Sequence, residues 1–287
     1  MGEENLLSSG TESASGLYGR KSGQRVTVRE LAQAKRRQER WVMLTAYDAL
    51  TAGLFDEQKV PALLVGDSAA NVVYGFDSTV RVGMDHLMPL VQAVVRGTRH
   101  ALVVADMPFG SYQNSVTQAL TSATRFLQEG GAQAVKLEGG ARVVDQVSAL
   151  VEAGIPVMGH LGLTPQSVHA LGGYRVQGRA EAGEQLLADA KALAAAGAFA
   201  LVLEVVPSDL ARRVTAEVDI PTIGIGAGAD CDAQVLVWQD LAGLTPEPAP
   251  KFVKRYADMR SQLAAAVGEF IDDVAAGGYP DSQHCYS

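Results

Sequence analysis

The sequence predicts a single (β/α)8 barrel of the α/β class on three observations. Eight short apolar runs recur along the chain, segments of helical spacing separate most of them, and no shift of composition marks a linker between two domains. Each run is nearly continuous in apolar residues rather than alternating, as expected of parallel strands buried on both faces.

Residues 1–24 are rich in Ser, Gly and Glu and lack the apolar middle of a secretion signal, so a disordered tail is expected and export is not. The single barrel domain then covers residues 25–287. An extra N-terminal helix is expected over Thr27–Glu39, with Thr27 as its cap and Glu30, three residues on, as the reciprocal partner. The eight runs follow: Trp41–Ala46, Pro61–Val65, Ala101–Ala105, Ala134–Leu137, Ile155–Gly159, Phe199–Leu203, Ile220–Ile225 and Gln234–Trp238. Helical spacing appears over Asp85–Arg96, Thr117–Gln128, Arg142–Glu152, Glu181–Ala195 and Ser208–Glu217. Several of these close in pairs such as Gly130-Gly131, Ala153-Gly154 and Ala196-Gly197, which suit the left-handed turn that ends a helix. Between the last two runs lie only residues 226–233, too few for a crossover helix, so the eighth unit is the least regular. A Pro-rich connector at 246–250 leads to a closing helix over Lys251–Ala275.

Composition narrows the function classes. The 287 residues are 47% hydrophobic with 30 Gly and 6% aromatic, which suits a large aliphatic core. Net charge is -8 with the acidic excess spread along the chain, so no basic face is available to neutralise a phosphate backbone, and nucleic acid is not an expected partner. Asp, Glu, Gly or Pro interrupts every apolar run before the roughly 20 residues that span a bilayer, so no membrane helix is expected. Cys231 and Cys285 form neither a disulfide framework nor a zinc spacing, and a reducing cytoplasm is the expected compartment.

In such barrels the carboxyl ends of the strands form one mouth, so the residue closing each run matters most. Five consecutive runs deliver an ionisable group there: Asp67, Asp106, Lys136 with Glu138, His160, and Glu204. Taken singly, such an Asp is as easily a helix cap, and a lone His a hydrogen-bonded structural residue. Taken together, several carboxylates at one mouth repel each other unless a cation offsets them. Asp67, Asp106 and Glu138 offer hard oxygens without thiolate, which favours Mg²⁺, or Mn²⁺ in its place, over zinc. A 2-keto acid could chelate such an ion through its carboxylate and keto oxygens and thereby acidify the neighbouring C–H. Glu204, apart from the three ligand candidates, is the candidate base. Lys136, two residues before Glu138 and on the same face, could bind the substrate carboxylate, steady enolate charge, or pair with the carboxylates. The glycine-rich 224–228 reads as a tight turn or as a weak phosphate loop, and residues 159–179 read as a long polar loop above the mouth.

Val65-Gly66-Asp67-Ser68, Ala105-Asp106-Met107-Pro108-Phe109, Val135-Lys136-Leu137-Glu138-Gly139, the block Gly159–Ser167, the block Gly172–Arg179 and Gly224–Gly228 together resemble the ketopantoate hydroxymethyltransferase family over about residues 25–287. The long loop block is the most specific of these. The resemblance implies a barrel of the phosphoenolpyruvate/pyruvate-domain type and transfer of a hydroxymethyl group from 5,10-methylenetetrahydrofolate to 3-methyl-2-oxobutanoate, an early step of pantothenate biosynthesis. It further implies one Mg²⁺ per subunit on Asp67, Asp106 and Glu138, keto acid contacts from Asp67, Ser68, Asp106 and Lys136, Glu204 as proton acceptor with His160 in support, and a homodecamer. Arg81 and Gly83 depart from the family, which has a Pro and then a hydroxyl residue before the helix there; Gly is an acceptable cap. Two alternatives use the same residues: a Mg²⁺-dependent 2-keto acid lyase of the same barrel type, and a non-catalytic binding barrel with a merely solvated acidic rim.

Overall fold

The computed structural model describes residues 16–19, 24–173 and 175–286. Among them eight parallel strands close a barrel in chain order: β1 (Trp41–Thr45), β2 (Ala62–Val65), β3 (Leu102–Asp106), β4 (Ala134–Glu138), β5 (Val157–Gly162), β6 (Ala200–Glu204), β7 (Thr222–Ile225) and β8 (Ala233–Leu236). β8 returns to pair with β1, Trp41 opposite Ala233 through Leu44 opposite Leu236, so the sheet has no free edge.

Side chains alternate across a strand, and here the alternation separates two cores. Met43, Ala62, Leu64, Leu102, Val104, Ala134, Met158, Ala200 and Val202 fill the barrel interior. The intervening Leu63, Val65, Val103, Val135, Leu137 and Leu201 pack outward against the helices. The same alternation, continued up each strand, points Asp106, Lys136, Glu138, His160 and Glu204 into the barrel. That parity is why the upper end of an otherwise apolar cylinder is charged.

The helices are α1 (Val28–Arg36), α2 (Ala49–Glu57), α3 (Ala69–Val72), α4 (Met84–Gly97), α5 (Val116–Gln128), α6 (Val144–Glu152), α7 (Val168–Leu171), α8 (Ala182–Ala195), α9 (Ser208–Glu217), α10 (Trp238–Leu241) and α11 (Met259–Ala276). At α1 the Thr27 amide donates to Glu30 Oε2 at 2.9 Å, the reciprocal half of the expected capping box. Leu31 and Ala34 join the interior cluster and close the amino end of the barrel. Gly83 starts α4 in extended conformation, with its amide donating to His86 Nδ1 at 3.2 Å.

Four details differ from the sequence expectation. Residues 1–15 and 20–23 of the expected tail lie outside the described residues, but Leu17–Gly19 forms a turn of 3-10 helix with Leu17 buried in the interior cluster. An additional helix, α2, fills the first crossover, with Asp48 accepting from the Leu50 and Thr51 amides at 2.9 Å. The last strand ends at Leu236, because the apolar run passes directly into α10 at Trp238. The closing helix begins at Met259 rather than Lys251, under the cap of Asp258, whose carboxylate accepts from the Ser261 amide at 3.3 Å.

β7 and β8 are joined by a loop without a helix, and the outward Val42 on β1 is 42% exposed. Gly226 and Gly228 in that loop have φ of +64° and +84°, and a Cβ would press on Phe252 at the first and Ser208 at the second. The glycines therefore serve a tight, closely packed turn.

Candidate functional site

The register of the sheet sets the site. Asp106 pairs with Lys136 and Glu138 with His160, while Glu204 on β6 pairs with Gly162, two residues beyond His160, so the inward ionisable groups of neighbouring strands lie at or within two residues of one another in register. Asp67 lies two residues past the end of β2, where the turn into α3 begins, and its amide donates to Asp106 Oδ2 at 3.1 Å. Asp67, Ser68, Asp106, Lys136, His160 and Glu204 line one cavity of ≈ 180 Å³ at the mouth. Glu138 stands behind His160, its Oε1 3.4 Å from Nδ1 of the ring. All seven residues singled out from the sequence thus meet at the same end of the barrel.

Asp106 Oδ1 and Lys136 Nζ form an ion pair at 2.8 Å, so pairing with a carboxylate is the contact Lys136 makes. The His160 ring lies between two carboxylates, with Nε2 3.2 Å from Glu204 Oε2. Ser68 Oγ hydrogen-bonds Tyr47 Oη at 2.8 Å. The side chains of Asp106 and Glu138 are 1% exposed and that of Glu204 is 17%, which makes Glu204 the carboxylate most open to an incoming molecule. Gly162, with φ of +92°, leaves room beside Glu204, since a Cβ there would collide with the Glu204 carbonyl oxygen.

The electrostatics follow from burying four carboxylates with two cations. Burial, then the nearby Glu138, pushes the Asp67 carboxyl up to about 6 against the opposing pull of Lys136. Asp106 is likewise pushed up to about 6, by burial first and then by Asp67, with Lys136 opposing. For Lys136 burial disfavours the charge, but Asp106, Glu138 and Asp67 together hold its pKa above the usual ammonium range. For His160 burial and Lys136 oppose protonation, yet the carboxylates on both ring nitrogens raise it to about 9. An imidazolium leaves the 3.3 Å approach of Lys136 Nζ to Nδ1 as a tolerated repulsion rather than a hydrogen bond.

The donor set suits a hard divalent cation. Every candidate ligand is a carboxylate, and Glu138 Oε1 is buried with no hydrogen-bond partner among the described residues. Among those residues no three His, Cys, Asp or Glu side chains are grouped to hold an ion directly. That spacing disfavours zinc, which takes a closed shell of protein ligands. It is compatible with magnesium, which keeps several waters and needs only one or two direct carboxylates.

Two participants were not assigned a role from the sequence, although Gln166 falls in the loop read as lying above the mouth. Tyr112 Oη accepts from the Glu138 amide at 3.1 Å, and Gln166, on the 3-10 turn Pro165–Ser167 after β5, reaches back into the acidic cluster. Nothing in the sequence distinguishes a glutamine buried at a strand end from one in a solvated loop. Tyr174, inside the long loop block, lies outside the described residues.

A family model described as ketopantoate hydroxymethyltransferase matches residues 25–282. A Frankia alni protein named 3-methyl-2-oxobutanoate hydroxymethyltransferase is 70% identical over 262 residues, 91% of this chain and 86% of that one. Among solved structures, phosphonopyruvate hydrolase in complex with oxalate and Mg²⁺ superposes with a TM-score of 0.58 at 11% identity, covering 90% of this chain and 93% of the other. 2,3-Dimethylmalate lyase, a member of the PEP mutase/isocitrate lyase superfamily, superposes with a TM-score of 0.53 at 16% identity, covering 90% of each chain. At such identities the two structures speak to the fold alone, a closed (β/α)8 barrel.

Proposed function

The chain belongs to the ketopantoate hydroxymethyltransferase family, and from that premise we propose how the residues of its rim divide the work. It is an enzyme of hydroxymethyl transfer to 3-methyl-2-oxobutanoate, giving 2-dehydropantoate. In the proposal the one-carbon unit comes from 5,10-methylenetetrahydrofolate, water supplies the hydroxyl oxygen, and the reaction serves pantothenate biosynthesis in the cytoplasm.

Asp67, Asp106 and Glu138 hold one Mg²⁺ per subunit, with Mn²⁺ able to replace it. The ion, when bound, polarises the keto group and so makes the C3–H acidic. Asp67, Ser68, Asp106 and Lys136 orient the keto acid. Glu204 accepts the C3 proton; water hydrolyses the methylene bridge of the donor to formaldehyde, breaking both C–N bonds and releasing tetrahydrofolate, and the carbanion adds to that carbon, making the new C–C bond and leaving the former carbonyl oxygen, once protonated, as the hydroxyl. His160, cationic between Glu138 and Glu204, keeps the base aimed at the cavity. The Lys136 ammonium adds positive charge where enolate charge develops.

The observation that carries this is the gathering of inward carboxylates from adjacent strands on one cavity, with the most exposed of them, Glu204, across from the Asp67–Asp106 pair. Assembly into a homo-oligomer, a decamer in the proposal, has support in α11, where no residue is buried and Leu263, Phe270 and Ile271 are exposed. No helix among the described residues is long and apolar enough to cross a membrane.

The test is product formation by metal-stripped protein given 3-methyl-2-oxobutanoate. Product should require both added Mg²⁺ and 5,10-methylenetetrahydrofolate. Turnover of a keto acid without the folate would favour the lyase chemistry of the structural relatives instead.

A further inference from the structure

We infer that Gln166 is a positioning residue of the cation site: its side-chain amide holds one oxygen of Asp67 and its backbone N–H one oxygen of Glu138, which fixes how the two carboxylates face the ion. The inference rests on the proposal that this rim holds magnesium.

Gln166 is 4% exposed, and its side chain is fully committed. Nε2 donates to Asp67 Oδ2 at 3.1 Å and to the Met107 carbonyl at 3.0 Å. Oε1 accepts from Tyr112 Oη at 2.9 Å and from Gln113 Nε2 at 3.3 Å. Two acceptors on one side and two donors on the other allow a single orientation of the amide. The backbone amide of the same residue donates to Glu138 Oε2 at 3.0 Å. One residue therefore ties down one oxygen of each of two acidic side chains that reach the site from β2 and β4. The oxygens that Gln166 does not hold are Asp67 Oδ1 and Glu138 Oε1, the latter buried and 3.4 Å from Nδ1 of the His160 ring. Without the side-chain amide the Asp67 carboxylate would be free to turn away from Glu138, and an ion would have to reorganise it on binding.

Gln166 also opens the segment that runs through α7 toward α8 above the mouth. Its grip on the carboxylates thus joins that segment to the floor of the site.

The experiment is direct titration of Mn²⁺, standing in for magnesium, with the free ion followed by its paramagnetic resonance signal and no substrate present. Wild type is compared with Gln166→Met, which keeps the volume and removes both hydrogen-bonding functions, and with Tyr112→Phe, which removes one anchor of the amide. Gln166→Met should raise the Mn²⁺ Kd at least tenfold and Tyr112→Phe by about threefold, and the activity lost in each should be largely recovered at high Mg²⁺, because the defect lies in binding the ion. A residue that only props up the fold would not give a loss that added metal restores. Should Gln166→Met fail to fold, the milder variant decides alone. Wild-type affinity in folded Gln166→Met, or in Tyr112→Phe if that is the one that folds, overturns the inference. Absence of Mn²⁺ binding in wild type would instead remove the magnesium proposal on which it stands.

Discussion

The arc of the barrel from β2 to β6 and the arc from β7 through β8 to β1 share one alternation and are filled in opposite ways. At the level of the cavity the first presents Asp67, Asp106, Lys136, His160 and Glu204, whereas the second presents Ile225, Val235, Val237 and Thr45, with Asp240 of α10 as the carboxylate on that side. Outside, α4, α5, α6, α8 and α9 follow the first arc, while β7 and β8 are joined without a helix. A site with charge on one wall and hydrocarbon on the other can grip a small anionic substrate on the charged side. The apolar wall keeps the local dielectric low and strengthens each contact across from it.

The comparison breaks most sharply at Glu204. Glu204→Gln keeps the shape and hydrogen-bonding reach of the charged wall but cannot accept a proton, so steady-state assays should show kcat lowered about 10²- to 10⁴-fold with KM little changed. Lys136→Met makes the charged wall resemble its opposite and leaves Asp106 buried without its cation. Denaturant titration of the metal-free protein should show a loss of about 3–5 kcal/mol. The converse change, Val235→Thr, brings a hydroxyl to the apolar wall, where 5% exposure leaves little access to water. An unpaired hydroxyl there should cost about 1–3 kcal/mol in the same titration.

Acid sharpens the contrast because the displaced titrations of the cavity, those of Asp67, Asp106 and His160, belong to the first arc. Asp67 and Asp106 stand raised to about 6 from the ordinary carboxyl value of 3.8, so their protonated forms favour the metal-free fold; that contribution is full below about 3.8 and is lost as pH rises through about 6. A bound cation requires the ionised forms. The increase in Tm produced by Mg²⁺ should therefore widen as pH rises through about 6, as differential scanning calorimetry would record. His160 runs the other way at higher pH: raised to about 9 from 6.5, it contributes stability below about 6.5 that is lost as pH rises through about 9. The smallest effect belongs to the bare exterior. Val42→Thr should change the stability of a single chain by no more than about 0.5 kcal/mol, and a larger loss that scales with protein concentration would mark this face as covered in the assembly.

The same contrast explains what could be read from the sequence. Along the first arc the runs are apolar on both faces and end in an ionisable residue, so Asp106, Glu138, His160 and Glu204 could be placed at the mouth before any coordinates, and strand parity carries them inward. Along the second arc that punctuation fails. Val237 and Trp238 continue the apolar run, so nothing marks where β8 becomes α10, and residues 251–258 carry no strong helix breaker to show that α11 starts only at Met259. Hydrogen bonds between distant segments left even less trace. Gln166 lies 99 residues from Asp67 and 28 from Glu138, and the tertiary fold alone brings them together. The buried Leu17 was hidden by its Ser- and Gly-rich surroundings.

The central claim is that the charged wall acidifies C3 of the keto acid through a divalent ion. Its most direct test is the rate at which 3-methyl-2-oxobutanoate loses its C3 proton to D₂O on the wild-type enzyme, followed by proton NMR without any folate. Exchange should be rapid with Mg²⁺, should collapse when the metal is chelated, and should return when it is restored. Exchange that continues undiminished in the chelated protein would contradict the account.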